Sequence, residues 1–140
     1  MKLLFPERLA ATGLLVIFAL TLLFHGLVVT GVIPFGIVWG GRLQTPEQML
    51  AFETVSIALN ALMLAAVAAW AGHWRVAVSA RLLRGLLWLM AGLFVLNTVG
   101  NLLSANATEK ALFTPLTLLM ALLSLRLALG ARPVAPGARV

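Results

Sequence analysis

Four long apolar runs dominate the chain and leave little freedom in what it can fold into. A bilayer core of about 30 Å takes roughly 20 helical residues to cross at 1.5 Å per residue. Runs at about 9–33, 46–71, 80–104 and 108–129 meet that length. Backbone groups in lipid must be satisfied within the segment, which favours helices. No run alternates polar and apolar residues as a membrane strand would. The expected fold is all-α: an integral membrane, four-helix up-down bundle forming one domain over 1–130, with a disordered Pro/Gly/Ala-rich tail at 131–140. Composition supports a bilayer as solvent. Of 140 residues, 62% are hydrophobic and 10% charged, against roughly a quarter charged in soluble domains.

The start "MKLLFPERLAATGLLVIFALTLLFHGLVVTGVIP" is basic and then apolar. Its apolar part is too long for a cleavable leader and no A-x-A site ends it, so it reads as a retained first helix. Pro34 is expected to end that helix. Thr45 should cap the second, with Pro46 at its first position and Glu47 near its positive end. Pro115 falls in the first turns of the fourth and could kink it.

Lys2, Arg8, Arg75, Arg81, Arg84, Arg126, Arg132 and Arg139 fall on one side of the four spans; Arg42 and Lys110 fall on the other. This asymmetry places both termini in the cytoplasm and argues against dual topology. Arg126, inside the last run, can snorkel to the cytoplasmic interface. Trp39, Trp70, Trp74 and Trp88 suit interfacial positions. The net charge of +6 comes from dispersed residues, not a dense basic patch, so no nucleic-acid partner is expected. With no cysteine, disulfides, thiolate metal sites and a cysteine nucleophile are excluded.

Polar residues within the spans are few enough to place by depth. His25, in "TLLFHGLVV", lies about 13 Å before Pro34, and Glu53 about 10 Å after Pro46, at 1.5 Å per residue. The first two helices are antiparallel, so these side chains reach nearly the same outer level. Asn97 and Asn101 on the third helix, and Thr114 and Thr117 on the fourth, lie in the same half. The spacings put each set on one helix face: Glu53, Ser56 and Asn60; Asn97, Asn101 and Ser104; Thr114, Thr117, Ala121 and Ser124. The faces are expected to point inward together. Ala58, Ala61, Ala65 and Ala69 form a small-residue stripe suited to a close approach by another helix or a second protomer.

A carboxylate in the membrane is costly unless paired, hydrated or protonated, and is a functional candidate by default. The expected partners of Glu53 are His25, the asparagines and Arg42. The last sits in "IPFGIVWGGR", whose three glycines and tryptophan suggest a tight loop over the outer end of the bundle. The ligand-binding set is therefore His25, Arg42, Glu53, Asn60, Asn97 and Asn101. His25 and His73 fall at opposite faces, too far apart to share a metal. The chain has no H-E-x-x-H, Walker loop, G-x-S-x-G or paired-carboxylate motif, and no cofactor or metal is expected. "NAT" at Asn106 matches a glycosylation sequon by pattern alone.

The stretches "FHGLVVTGVIPFGIVWGGRL", "FETVSIALNALML" and "LNTVGNLLSANATEKALFTPLTLLMALLSLRLAL" resemble a group of small bacterial four-helix membrane proteins without an assigned activity. The resemblance implies the same architecture and a bacterial inner-membrane home. Small fluoride channels and multidrug exporters also have four short helices. The loop arginine and phenylalanine pattern of the former is not matched here, and the latter carry their acid on helix 1, not helix 2.

Three readings follow. The chain binds or transports a small polar molecule, a cation or a lipid headgroup in an outward-facing pocket, with transport calling for a homodimer because one bundle has little room for a pore. It is an accessory subunit whose polar residues set helix register. Or it is an enzyme in which Glu53 and His25 act as an acid–base pair on an apolar substrate. The first is preferred.

Overall fold

The computed structural model describes residues 5–130; the tail expected to be disordered and the charges at Lys2, Arg132 and Arg139 lie outside the described residues. The described chain forms four long helices: α1 (Glu7–Val29), α2 (Pro46–Trp70), α3 (Ala80–Leu102) and α4 (Ala107–Leu129). Two single 3₁₀ turns, Phe35–Ile37 and Trp39–Gly41, lie in the α1–α2 connection. The helices have 23, 25, 23 and 23 residues, and all are apolar enough to cross a membrane. At 1.5 Å per residue they run about 35 Å or more, enough for a hydrocarbon core of about 30 Å.

Helix boundaries follow local chemistry. The Thr45 hydroxyl accepts from Gln48 N–H at 3.2 Å and Pro46 opens α2, so the expected cap is present. Ser79 caps α3 through Leu82 N–H, and Asn106 caps α4 through Thr108 and Glu109 N–H. The sequon asparagine thus serves as a helix cap through its Oδ1. Helix α1 stops at Val29, four residues short of the expected end. Gly31 takes a left-handed φ of 79°, and Ile33 N–H folds back on Leu27 carbonyl at 3.0 Å. A glycine that can enter this region ends the helix before the proline must.

The helices run up and down, α1 packing on α2 and α4, and α3 on α4 and, most sparsely, on α2. Two ends are defined by contacts. At the first, Arg84 donates to the Gly130 carbonyl at 3.0 Å and lies over the Trp70 ring, and Arg126 donates to Phe5 carbonyl at 2.7 Å. The beginning of α1, the end of α4 and the α2–α3 connection therefore share this end. Arg126 also pairs with Glu7 at 3.3 Å, so its stem is held in the bundle and does not merely snorkel. Trp70 is fully buried here, while Trp74 and Trp88 are exposed. The α1–α2 connection and the α3–α4 turn share the opposite end, where Gly40 N–H meets Glu109.

The main core fills the half nearer the first end: Leu14, Phe18, Val67, Leu87, Phe94, Met120 and Leu127 are among its buried members. A small cluster of Val28, Val38, Leu43 and Met49 closes the opposite end. Between the two clusters lie the polar side chains. Outside, Leu82, Leu89 and Leu96 on α3, with Leu103 at its C-cap, form an exposed stripe, one residue in seven. A water-facing surface rarely keeps so long an apolar stripe, and a lipid-facing one requires it.

Candidate functional site

Helix α1 presents Thr21 and His25 to the interior on successive turns, and α2 presents Glu53, Ser56 and Asn60 on one stripe. Thr21 is satisfied by the Ile17 carbonyl at 2.8 Å. Glu53 is fully buried, at 0% exposure. Its Oε2 accepts from His25 Nδ1 at 2.5 Å, and its Oε1 accepts from Trp39 Nε1 at 2.8 Å. A buried carboxyl is tolerated where each oxygen has a donor, and here both do.

The donor from the loop is Trp39, not Arg42. Trp39 stands at φ 54°, followed by Gly40 at 64° and Gly41 at 72°. A left-handed residue with a Cβ costs about 1–2 kcal/mol. The two glycines enter that region freely, and the tryptophan is held there by its indole bond to Glu53 and by Phe52, whose ring centroid lies 5.2 Å away. The loop is tied a second time by Glu109 at the start of α4. Its Oε1 accepts from Gly40 N–H at 3.0 Å and its Oε2 from the Ser104 hydroxyl at 2.9 Å. One carboxyl on α2 and one on α4 thus clamp the same turn. Arg42 is exposed, on a surface hollow of 320 Å³ shared with Leu43, Gln48 and Phe52. The expectation that it partners Glu53 is corrected: the left-handed turn swings the indole inward and leaves the guanidinium outside.

On the other side, Asn101 Nδ2 donates to the Thr117 hydroxyl at 3.3 Å, which donates to Phe113 carbonyl at 2.7 Å. Thr98 lies 3.0 Å from Thr117 as well. The α4 stripe points inward as expected, with Thr117, Ala121 and Ser124 buried. The α3 stripe does so only in part. Asn101 is half-buried, but Asn97 is exposed at the α2–α3 seam. The alanine stripe of α2 divides: Ala58 and Ala61 are exposed, Ala69 is buried against the core.

These groups surround a chamber of 280 Å³ beneath the Trp39 turn. His25, Asn60, Asn97, Asn101, Glu109 and Thr117 supply its polar wall, and Phe94 and Met120 border it toward the core. This volume is just below the roughly 300–1,000 Å³ of small-molecule sites. Four of the six residues expected at the site therefore line it. Glu53 lies behind His25 and Trp39 and does not line it, and Arg42 lies outside. Trp39, Glu109 and Thr117 were not among the expected set. The "WGG" triplet carried a signal for Trp39, since paired glycines favour a left-handed turn. Glu109 had only its place in the first turn of α4.

No lysine or arginine lines the chamber. Asn60 Nδ2 donates one hydrogen to the Ser56 carbonyl at 2.8 Å, and Asn101 Nδ2 one to Thr117. Each amide keeps its carbonyl oxygen and one N–H for the chamber, and with the Glu109 carboxylate the wall is richer in acceptors than in donors. Such a wall accepts hydrogen bonds and suits a donor-rich neutral or cationic group. Among the described residues no group of three or more His, Asp or Glu is placed to hold a metal ion. No protein-family model, curated protein or solved structure matches the chain.

Proposed function

We propose that this is a multi-pass protein of the bacterial inner membrane that binds a small polar group, carrying hydrogen-bond donors, in the chamber beneath the Trp39 turn. The single observation behind this reading is the set of acceptor oxygens on Asn60, Asn101 and Glu109 around 280 Å³ of space with no lysine or arginine on its wall. The basic residues at the end that holds Arg8, Arg75, Arg81 and Arg84 support a cytoplasmic position for that end, so the chamber faces outward. The inner-membrane home rests on the resemblance noted above.

His25, Glu53 and Trp39 form a latch in this reading. Glu53 has both oxygens occupied and no face on the chamber, so it supports the site and does not transfer protons with substrate. That makes the acid–base enzyme the weaker alternative. Transport would call for a second protomer, because one bundle of this size holds a chamber and not a pore.

The test is thermal unfolding of purified protein in a non-ionic detergent with ethanolamine, glycerol, small polyols and alkali cations. At least one should raise the unfolding temperature. The rise should vanish in N97L/N101L and persist in Arg42→Ala. No rise with any of them, or a rise kept by N97L/N101L, would sink the reading.

A further inference from the structure

The chamber does not end at the bundle wall. A second cavity of 460 Å³ runs between α2 and α3 and shares Trp39, Ser56, Asn60, Phe94 and Asn97 with it. Its remaining wall is apolar, with Phe52, Val55, Leu59 and Leu93 among its members. Phe52, Val55 and Leu59 are 48%, 58% and 44% exposed, so this cavity opens sideways, toward the space that lipid occupies around a spanning bundle. It follows the α2–α3 seam, the least packed of the four.

Asn97 stands at the junction of chamber and cleft. It is exposed, and its amide has no hydrogen-bond partner among the described residues. An amide facing hydrocarbon without a partner is unfavourable. Two occupants would satisfy it: a second copy of the chain, through an interhelical bond, or a ligand. A helix is about 10–12 Å across with its side chains and is too wide to follow this cleft into the 280 Å³ polar chamber behind it. A thin chain attached to a polar head fits that shape.

Resting on the chamber as the binding site, we propose that its ligand is a single-chain amphiphile admitted from the bilayer between α2 and α3. Its head carries hydroxyl or amine donors and meets the oxygens of Asn60, Asn101 and Glu109. Asn97 bonds the head–chain junction, and the hydrocarbon chain lies along Phe52, Val55 and Leu59. An anionic head is disfavoured, because the chamber wall offers a carboxylate and no lysine or arginine, and its histidine is engaged by Glu53.

Native mass spectrometry tests this, with monoolein as the amphiphile, glycerol as its head alone and oleoyl lysophosphatidic acid as the anionic-head control. Wild-type protein should retain monoolein, and retain it at least fivefold over lysophosphatidic acid. Leu59→Trp fills the cleft at an exposed position where folding is not at stake. It should cut monoolein retention at least fivefold while keeping the stabilisation by small polar compounds. If Leu59→Trp leaves monoolein retention unchanged, or monoolein is not retained although small polar compounds stabilise the protein, the lateral route fails and the chamber stands. If N97L/N101L alters neither readout, the chamber reading fails too. Preference for the anionic head overturns the assigned head chemistry. Disulfide cross-linking of two chains through Leu59→Cys in membranes overturns the occupant in favour of a second copy.

Discussion

Removing His25 should be repaired by also removing Glu53. Glu53 is fully buried and has one donor on each oxygen, His25 at 2.5 Å and Trp39 at 2.8 Å. His25→Leu strips Oε2 of its donor in a place water does not reach. Leaving a buried acceptor unpaired costs about 1–3 kcal/mol, more when it is charged, and breaking a buried pair from one side costs about 3–5 kcal/mol. About 3 kcal/mol is the expected loss. Adding Glu53→Met replaces the carboxyl by an apolar side chain of similar length. The orphaned group is then Trp39 Nε1, on a residue that is 38% exposed, so the indole can turn its N–H toward polar solvent. One net hydrogen bond, about 1 kcal/mol, is what remains lost. The double variant should therefore be about 2 kcal/mol more stable than His25→Leu alone.

The assay is reversible unfolding in mixed micelles of sodium dodecyl sulfate and a mild detergent, followed by circular dichroism. Measuring Glu53→Met alone closes the double-mutant cycle and isolates the coupling, since the side chains touch. The reasoning is refuted if His25→Leu is neutral, or if the second substitution lowers stability further.

Glu109→Ala should free the loop from α4, costing about 1–2 kcal/mol and speeding amide exchange at Gly40, whose N–H it now holds at 3.0 Å; unchanged exchange would mean the Trp39 bond alone holds the turn. The absence of cysteine allows single-cysteine mapping. Gln44→Cys should react with an impermeant maleimide in intact cells and Ala77→Cys only after the membrane is opened, and the reverse pattern would invert the proposed orientation.

Much of the architecture was legible along the chain because it rests on local quantities. Run length against bilayer thickness set the number of spans. Capping chemistry at Thr45 marked the start of α2, because a side-chain oxygen beside Pro46 satisfies free N–H groups in no other neighbourhood as well. The rise per residue brought His25 and Glu53 to one level, and a short antiparallel connection made them neighbours. Where two local signals compete, the earlier one wins: Pro34 is an evident stop, but Gly31 already turns left-handed and ends α1 first.

The sequence by itself determined the four helices, their polar faces and the level of the polar belt along them. Each follows from a rise of about 1.5 Å and a period of 3.6 residues. Only the tertiary structure decided which loop residue meets Glu53, whether Glu53 lines the chamber, and that Asn97 stands at an open seam. A loop has no period, so three left-handed residues could send the indole of Trp39 inward and leave Arg42 outside. A helix's rotation about its own axis is settled by all its neighbours together. The sparse contact between α2 and α3 left one asparagine of an inward-reading stripe facing the gap.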